Sequence, residues 1–428
     1  MKAVFLAIGM ALTCAPAVLA FGAADPARSV REIADVVEDN FFDAIVARDV
    51  SSALRADAAA GVFSSFSDEA LAKELTSRLK KVDGHFRVGA PAEPGVEANL
   101  SPSIEYEDQV RRINFGFRSV EILPGNVGYI DLRFFADFDS VDAPERLAAD
   151  AALQMIAHTD AVIIDLRDKR GGSPPMAAYL ASAFLPPDSR AYMAEHYRSG
   201  EVISQAPETP VDPVQRRLTA PLIVMISARS ASAAEALAYT LQSVRRAVVV
   251  GQSSMGAASM ARPAATPSGF VVFVPYALTI SPITNANWEG SGVIPDVDGP
   301  IADAKTHAHQ MALRMAIERM AESAIIAENR WILETLEKSA VEVALDEYAG
   351  LYGDVTVSVS DGRLSYRQGT RPPLMLQALG DDLFTVIHEP TQRVRFKRDG
   401  SGRVRGLNRL WSEGTVEPTL AKVNDPAQ

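Results

Sequence analysis

Ser232 has the clearest chemical potential in the sequence, because it ends a tight turn between a β-branched run and a helical pattern. The run Pro221-Leu-Ile-Val-Met-Ile226 predicts a buried strand, and apolar residues from Ala233 onward recur at helical spacing. A serine at a helix N-terminus lies beside backbone N–H groups without helical acceptors and beside the positive end of the helix dipole. Both features stabilise an anion, so Ser232 could attack a carbonyl group and form an oxyanion there.

The same residues also fit a helix cap. Ser232-Ala-Ala-Glu235 matches the S-x-x-E capping box, in which each side chain accepts a hydrogen bond from the other residue's backbone N–H group. Both interpretations stay open locally, because a short motif becomes specific only through its context.

A nucleophilic serine also needs a base, and the chain has six histidines. His85 lies in a glycine turn, Val82-Asp-Gly-His-Phe86, directly after a predicted helix. A lone loop histidine is ordinarily a surface residue, so these grounds alone leave its role open. His307 and His309 are two residues apart on a predicted helix and therefore face apart, which argues against a metal pair.

Two further loops could complete such a site. Gly171-Gly172 follows a buried strand that ends near Asp165, and paired glycines let backbone N–H groups face a ligand. Glu289 lies in the loop Asn287–Asp296, which also contains an aromatic residue and two glycines. The simpler interpretations are an ordinary strand-to-helix turn and a connector with a solvated carboxylate.

Composition limits the class of protein. A chain of 428 residues with 47% hydrophobic content predicts two or three globular domains. Its net charge of −12 argues against a nucleic-acid partner and against an anionic membrane surface. We expect no metal and no cofactor, and the sequence does not indicate the oligomeric state.

The N-terminus predicts export from the cytoplasm. Lys2, the apolar stretch Ala3–Leu12 and the small-residue end Ala17-Val-Leu-Ala20 form a secretory signal peptide, with cleavage expected after Ala20. The stretch is too short to span a bilayer, and no later segment is long and apolar enough to do so. A lipid anchor on Cys14, the single cysteine, is a weaker alternative. We therefore expect a periplasmic or secreted protein.

The pattern along the chain predicts an α/β protein. Residues 21–110 read as an N-terminal helical subdomain, with loop or hairpin character over 86–110. Strands alternate with helices over 111–340, which indicates a core with a largely parallel sheet, closed by a long amphipathic stretch from Asp303 to Ala340. Residues 341–428 predict a small all-β domain with hairpin turns at Asp361-Gly362 and Asp399–Gly402.

Six sequence blocks together resemble one family, the tail-specific or C-terminal-processing serine peptidases. The likeness is to the tricorn-like and retinoid-binding-protein-like branch without a PDZ domain. The blocks are Val82–His85, Val120–Ile130, Ile164–Arg167 with Gly171–Pro174, Ser230–Tyr239, Val250-Gly251 and Trp288–Asp296.

The resemblance implies a ClpP/crotonase-like α/β core and a set of site residues. Ser232 would be the nucleophile, His85 the general base and Glu289 an assisting acidic residue. The backbone N–H groups of Gly171 or Gly172 and of Ala233 would form the oxyanion hole. The implied activity is hydrolysis of peptides or unfolded protein chains through an acyl-enzyme.

The sequence also departs from the family. Ala257 stands where the Ser/Lys branch has a lysine, and no lysine occurs between Lys169 and Lys305, so that region supplies no Ser/Lys dyad. An alternative function is therefore a weakly active or inactive protein of the same fold that binds peptides or apolar ligands. An esterase is less favoured, because Ser230 and Ala234 stand where a G-x-S-x-G motif has glycines.

Overall fold

The structure is a computed structural model that describes residues 25–91, 104–168, 171–212, 216–299, 303–319, 323–338 and 341–423. Its contacts divide the chain into two units, Met1–Leu100 with Ala261–Tyr276, and Ser101–Met260 with Ala277–Gln428. The predicted signal peptide lies outside the described residues, and the domain boundaries at 20, 110 and 340 stay predictions. Among the described helices, none has the length and apolar character that crossing a bilayer requires.

Helices and strands alternate through the first two thirds of the chain, and strands alone form its last part. The helices are α1 Pro26–Asn40, α2 Ala44–Ala59, α3 Asp68–Leu79, α4 Ile104–Arg112, α5 Pro144–Met155, α6 Pro174–Ser182, α7 Ala233–Ser243, α8 Ala304–Arg319 and α9 Ala324–Glu337. The strands before the final part are β1 Arg87–Gly89, β2 Phe117–Leu123, β3 Val127–Leu132, β4 Ala161–Asp165, β5 Ala194–Tyr197, β6 Val202–Ser204, β7 Leu222–Ile226, β8 Val248–Gly251, β9 Ser259–Ala265, β10 Val271–Ile280 and β11 Val297–Asp298. The final strands are β12 Gly350–Tyr352, β13 Val355–Ser360, β14 Arg363–Gln368, β15 Leu374–Gly380, β16 Leu383–Val386, β17 Glu389–Arg398, β18 Val404–Trp411 and β19 Leu420–Ala421.

The first unit packs three helices and a short strand pair around an apolar core. Helix α1 begins after Asp25, whose carboxylate accepts a hydrogen bond from the Ala27 N–H group, and it has proline at its first position. Its apolar residues recur at helical spacing and are fully buried against α2, α3 and the start of β10. Strand β1 pairs antiparallel with residues 271–273 of β10.

The second unit is built on a six-stranded sheet in the order β11-β8-β7-β4-β3-β2. Only the β2–β3 pair is antiparallel, which confirms the predicted α/β class with a largely parallel sheet. Alternate residues of β4 face opposite layers, because successive strand side chains point to opposite faces. Val162 and Ile164 pack with α5, α6 and α7, whereas Ala161 and Ile163 pack with α8 and α9.

The last strands, β12 to β19, form an antiparallel sheet in chain order. The sheet closes on itself, because the Val423 N–H group donates to the Leu351 carbonyl at 2.7 Å. Both predicted hairpin turns are present, at Asp361-Gly362 and at Asp399–Gly402. The interior is filled with aromatic and branched side chains, including Tyr352 and Phe396, so this part is a packed core and not an open pore.

Three expectations from the sequence were wrong in detail. Residues 104–112 form helix α4 and not a loop, because the charged residues there are mostly good helix formers. The stretch 303–340 contains two helices, and the second starts after Ser323, whose hydroxyl accepts from the Ile326 N–H group. Strand β10 falls within the 111–340 region but pairs antiparallel with β1 and β5, outside the parallel sheet.

His309 makes stability depend on pH. Burial lowers the pKa of His309, on α8, although its Nε2 lies 2.7 Å from the Pro124 carbonyl oxygen. Below the ordinary histidine pKa of about 6.5 the unfolded chain therefore takes up a proton more readily than the folded chain, and the free energy of unfolding falls. We therefore expect the free energy of unfolding of His309→Gln to decrease less than that of wild type between pH 7.5 and pH 5.5. Urea denaturation at each pH measures this difference.

The matched control is His307→Gln, since His307 is exposed on the same helix. It should keep the wild-type pH dependence. Equal slopes for His309→Gln and wild type would contradict the assignment.

Candidate active site

Ser232 lies at the turn between β7 and α7 in a backbone conformation that few non-glycine residues adopt. Its φ is 55° and its ψ is −120°, outside the ordinary helical and extended regions. Such a conformation costs about 1–3 kcal/mol and persists only where surrounding contacts enforce it. Ser232 therefore lies at a sharp turn although the sequence lacks the G-x-S-x-G motif, and its side chain is half-buried.

Two serines fix the turn to the neighbouring strand. The buried Ser230 hydroxyl donates to the Leu166 carbonyl at 2.7 Å and accepts from the Ser227 N–H group at 2.9 Å. The Ser227 hydroxyl in turn donates to the Arg167 carbonyl. These bonds connect the end of β7 to the end of β4, its parallel neighbour, so the Ser232 turn is held from both sides.

Glu235 satisfies the backbone at the start of α7. Its carboxylate accepts the Ser232 N–H group at 2.7 Å, so the glutamate half of the predicted capping box is formed. The carboxylate also accepts from Ser254 and from the backbone of Gly256 and Ala257. The sequence predicted the cap and missed these three additional donors.

The predicted oxyanion-hole glycines lie in a loop next to the Ser232 turn. Gly171 and Gly172 have φ values of +98° and +133°. A Cβ atom at 171 would lie 2.8 Å from the Ser232 Cβ, and one at 172 would lie 2.2 Å from the Phe135 carbonyl oxygen. Both positions therefore require glycine, and Gly171 lies against the serine whose helix begins at Ala233.

The Gly171 loop is also held by strand pairing with the segment after β3. Gly172 and Phe135 form a parallel bridge, and the Ser173 N–H group donates to the Phe135 carbonyl at 2.8 Å. The Ser173 hydroxyl donates to Asp137 at 2.6 Å. Both bonds orient the glycine pair from the side away from Ser232.

Two open cavities flank the segment that continues from Phe135. Their volumes are about 340 and 490 Å³, and both are lined by Phe138 and Asp139. The larger one is also lined by Pro175, four residues beyond Gly171.

Charged side chains organise the end of β4. Burial would raise the pKa of Asp165, but hydrogen bonds from Arg167 and from the Tyr129 hydroxyl at 2.6 Å outweigh it and lower the pKa below its usual range. Asp168 pairs with Arg133 and with Arg229, which belongs to the Ser232 turn. The hydrogen bond from Arg133 lowers the pKa of Asp168, so this carboxylate stays charged.

Glu289 binds backbone groups in the same unit. Its carboxylate accepts from the Ala258 N–H group at 2.6 Å and from the Ser259 N–H group at 3.0 Å. The preceding residue, Trp288, is fully buried with its ring 5.3 Å from that of Tyr239 on α7. Glu289 is thus not the solvated carboxylate of the simpler interpretation.

His85 belongs to the other unit, where it pairs with Asp83. The His85 Nδ1 lies 2.9 Å from Asp83 Oδ1, and the His85 backbone N–H group donates to the same oxygen at 2.8 Å. Asp83 is buried and fixes both the ring and the turn. Sequence reasoning missed Asp83, although its spacing of two residues before the histidine, with glycine between, was visible.

One family model matches part of the chain. Residues 126–298 match Peptidase family S41, a range that includes Ser232, Glu289 and the glycine pair. The chain is 31% identical over 174 residues to carboxyl-terminal-processing peptidase 1, chloroplastic, of Arabidopsis thaliana. That alignment covers 40% of this chain, and the chain spans 33% of the length of that relative.

Solved structures with related folds are more distant in sequence. A lipoprotein from Streptococcus agalactiae has a TM-score of 0.45 and 15% identity, and the match covers 67% of this chain and 96% of that one. A photosystem II D1 C-terminal processing protease has a TM-score of 0.39 and 16% identity, over 64% and 93% of the two chains. The family match and the plant relative confirm the resemblance to C-terminal-processing peptidases, while the branch without a PDZ domain stays a prediction.

Gly171→Ala tests the contact with Ser232. The added methyl group would press on the serine side chain, and we expect the rate at which a fluorophosphonate labels Ser232 to fall by about tenfold or more, since small displacements of reacting groups are costly. The rate can be followed by gel fluorescence.

Gly200→Ala is the matched control, because Gly200 also has a positive φ of +86° but no heavy atom within 4 Å of the added Cβ position. An alanine in this backbone conformation costs about 1–2 kcal/mol, so Gly200→Ala should lower stability and leave the labelling rate unchanged. Labelling that falls equally in both variants would show that backbone strain, and not the contact, is responsible.

Proposed function

We propose that this chain, whose residues 126–298 match Peptidase family S41, is a serine peptidase that cleaves peptide bonds through an acyl-enzyme on Ser232. The observation that carries the proposal is the strained Ser232 turn with Gly171 directly against the serine side chain. A helix cap alone does not require this conformation, because capping residues ordinarily have extended backbone.

In the proposed mechanism Ser232 Oγ attacks the scissile carbonyl carbon. The backbone N–H groups of Ala233 and of Gly171 or Gly172 stabilise the oxyanion, which is the dominant electrostatic contribution in such reactions. The leaving amine departs with a proton, and water then hydrolyses the acyl-enzyme.

His85 is proposed as the base that takes the Ser232 proton and returns it to the leaving amine. Because its Nδ1 is bonded to Asp83, the nitrogen that would exchange the proton is Nε2. Asp83 would hold this tautomer and stabilise the imidazolium that forms. Glu289 keeps its proposed assisting role, which its bonds to the Ala258 and Ser259 N–H groups support by fixing that loop.

The proposed substrates are peptides or unfolded protein chains. The alternative is a protein of the same fold that binds peptides or apolar ligands without cleaving them, and the departure at Ala257 favours it. The two differ in one property, since a binding protein has no need for a serine that reacts with electrophiles.

Labelling with a fluorophosphonate probe distinguishes these functions. We expect wild type to be labelled and to cleave unfolded casein, and Ser232→Ala to do neither, because the reacting oxygen is gone. His85→Ala and Asp83→Asn should each lower kcat by about 10²–10⁴-fold, since each loses the base or its correct tautomer.

The control is His196→Ala, which removes a histidine that has no proposed role. It should label and cleave as wild type does. Unlabelled wild-type protein would favour the binding function, and turnover of simple esters without casein cleavage would favour an esterase.

We also propose that the protein is periplasmic or secreted, on the basis of residues 1–20. N-terminal sequencing of protein expressed from the full gene in a bacterium should find Phe21 as the first residue. Ala20→Asp should block cleavage, because small residues are required there. A mature chain that begins at Cys14 would indicate a lipid anchor instead, and an intact Met1 in the cytoplasm would contradict export.

A further inference from the structure

We infer that Glu235 is a positioning residue, which holds Ser232 in its reactive backbone conformation and fixes it to the 254–257 loop. The inference rests on the proposed serine-peptidase function. Glu235 would not touch the substrate and would act through the backbone of Ser232.

The Glu235 carboxylate is completely buried and accepts four hydrogen bonds. One oxygen accepts from the Ser232 N–H group at 2.7 Å and from the Ala257 N–H group at 2.9 Å. The other accepts from the Ser254 hydroxyl at 2.5 Å and from the Gly256 N–H group at 2.7 Å. Four donors fill the acceptor sites that a carboxylate has, so the group is saturated.

Helix capping explains only one of these four bonds. A capping box requires the glutamate to accept from the N-cap N–H group, which here belongs to Ser232. The other three donors come from residues 254–257, beyond the end of β8 and outside helix α7. Glu235 therefore connects two chain segments. A side chain that only capped the start of the helix would not need the bonds to the second segment.

The bond to Ser232 decides which backbone groups can serve the reaction. Since the Ser232 N–H group donates to Glu235, it is engaged there and does not serve the oxyanion that forms on the carbonyl oxygen when Ser232 Oγ attacks. The next N–H group, that of Ala233, is left for that purpose at the first residue of the helix. The same bond opposes relaxation of Ser232 from its positive φ to an ordinary conformation.

The 254–257 loop is in turn hydrogen-bonded to the segment that carries Glu289. The Ser254 hydroxyl accepts from the Val293 N–H group at 2.6 Å, and the Gly256 carbonyl accepts from the Gly290 N–H group at 2.9 Å. Glu289 itself accepts from the Ala258 N–H group. A continuous set of hydrogen bonds thus runs from Ser232 through Glu235 to the proposed assisting carboxylate.

Glu235→Gln tests the inference, because an amide has one acceptor oxygen and would turn an NH₂ group toward two of the donors. Labelling by the fluorophosphonate at several probe concentrations separates the maximal rate from probe affinity. We expect the maximal rate, and kcat for casein peptides, to fall by about tenfold or more, with half-saturating concentrations changed by less than about twofold. Ser254→Ala, which removes one of the four bonds, should give a smaller fall in the same parameter.

Asp296→Asn is the matched control. Asp296 accepts from the Val249 N–H group at 2.7 Å and from Gln242 near the opposite end of α7, so it also connects this helix to a neighbouring segment. We expect it to lower the melting temperature and leave the maximal labelling rate unchanged. Circular dichroism and thermal melts of every variant report folding independently of reactivity.

A folded Glu235→Gln protein with the wild-type maximal labelling rate would overturn the inference. It would also be overturned if Asp296→Asn lost as much of the maximal labelling rate as Glu235→Gln at the same loss of stability. If Glu235→Gln does not fold, an unchanged maximal rate in Ser254→Ala overturns it and a reduced one supports it. Wild-type protein that is never labelled at Ser232 would instead refute the serine-peptidase proposal itself, and with it the role of Glu235.

Discussion

The parallel pairing of β4 with β7 is the constraint on which the rest of the candidate site depends. Parallel neighbours end at the same edge of a sheet, so the chain leaving β4 and the chain leaving β7 emerge side by side. One carries Gly171 and the other carries Ser232, and the two lie so close that a Cβ atom at 171 would be 2.8 Å from the Ser232 Cβ. Ligand sites at this edge are typical of α/β sheets, and the hydroxyls of Ser227 and Ser230 make the arrangement rigid.

Three carboxylates of this protein hold the main chain in place. Glu235, Glu289 and Asp83 each accept at least one hydrogen bond from a backbone N–H group. Hydrogen bonds to a charged acceptor contribute about 1.5–3 kcal/mol, more than neutral ones. Such bonds can offset the cost of an unusual backbone conformation such as that of Ser232, which side-chain packing alone would hold less firmly.

The sequence predicted the strands and helices of the core well, because their apolar residues recur with clear periods. It also predicted the hairpin turns at Asp361-Gly362 and Asp399–Gly402, because aspartate and glycine at these positions favour a tight turn. It also indicated Ser232, Gly171 and Glu235 by local pattern. It could not predict the loop contacts of Glu235, since the Ser254 hydroxyl is 19 residues away and carries no signature. Helix α4 was missed because a polar segment with few apolar positions has no period to detect, and Asp83 because a turn with aspartate and glycine ordinarily has only a structural role.

The closure of the β12–β19 sheet affects how this sheet can interact with other polypeptide chains. An open sheet would expose unpaired N–H and C=O groups, to which unfolded polypeptide adds readily as a further strand. Here the Leu351 carbonyl is paired with Val423, so the first and last strands satisfy each other. If the chain cleaves peptides as proposed, an extended substrate would therefore pair with another part of the molecule.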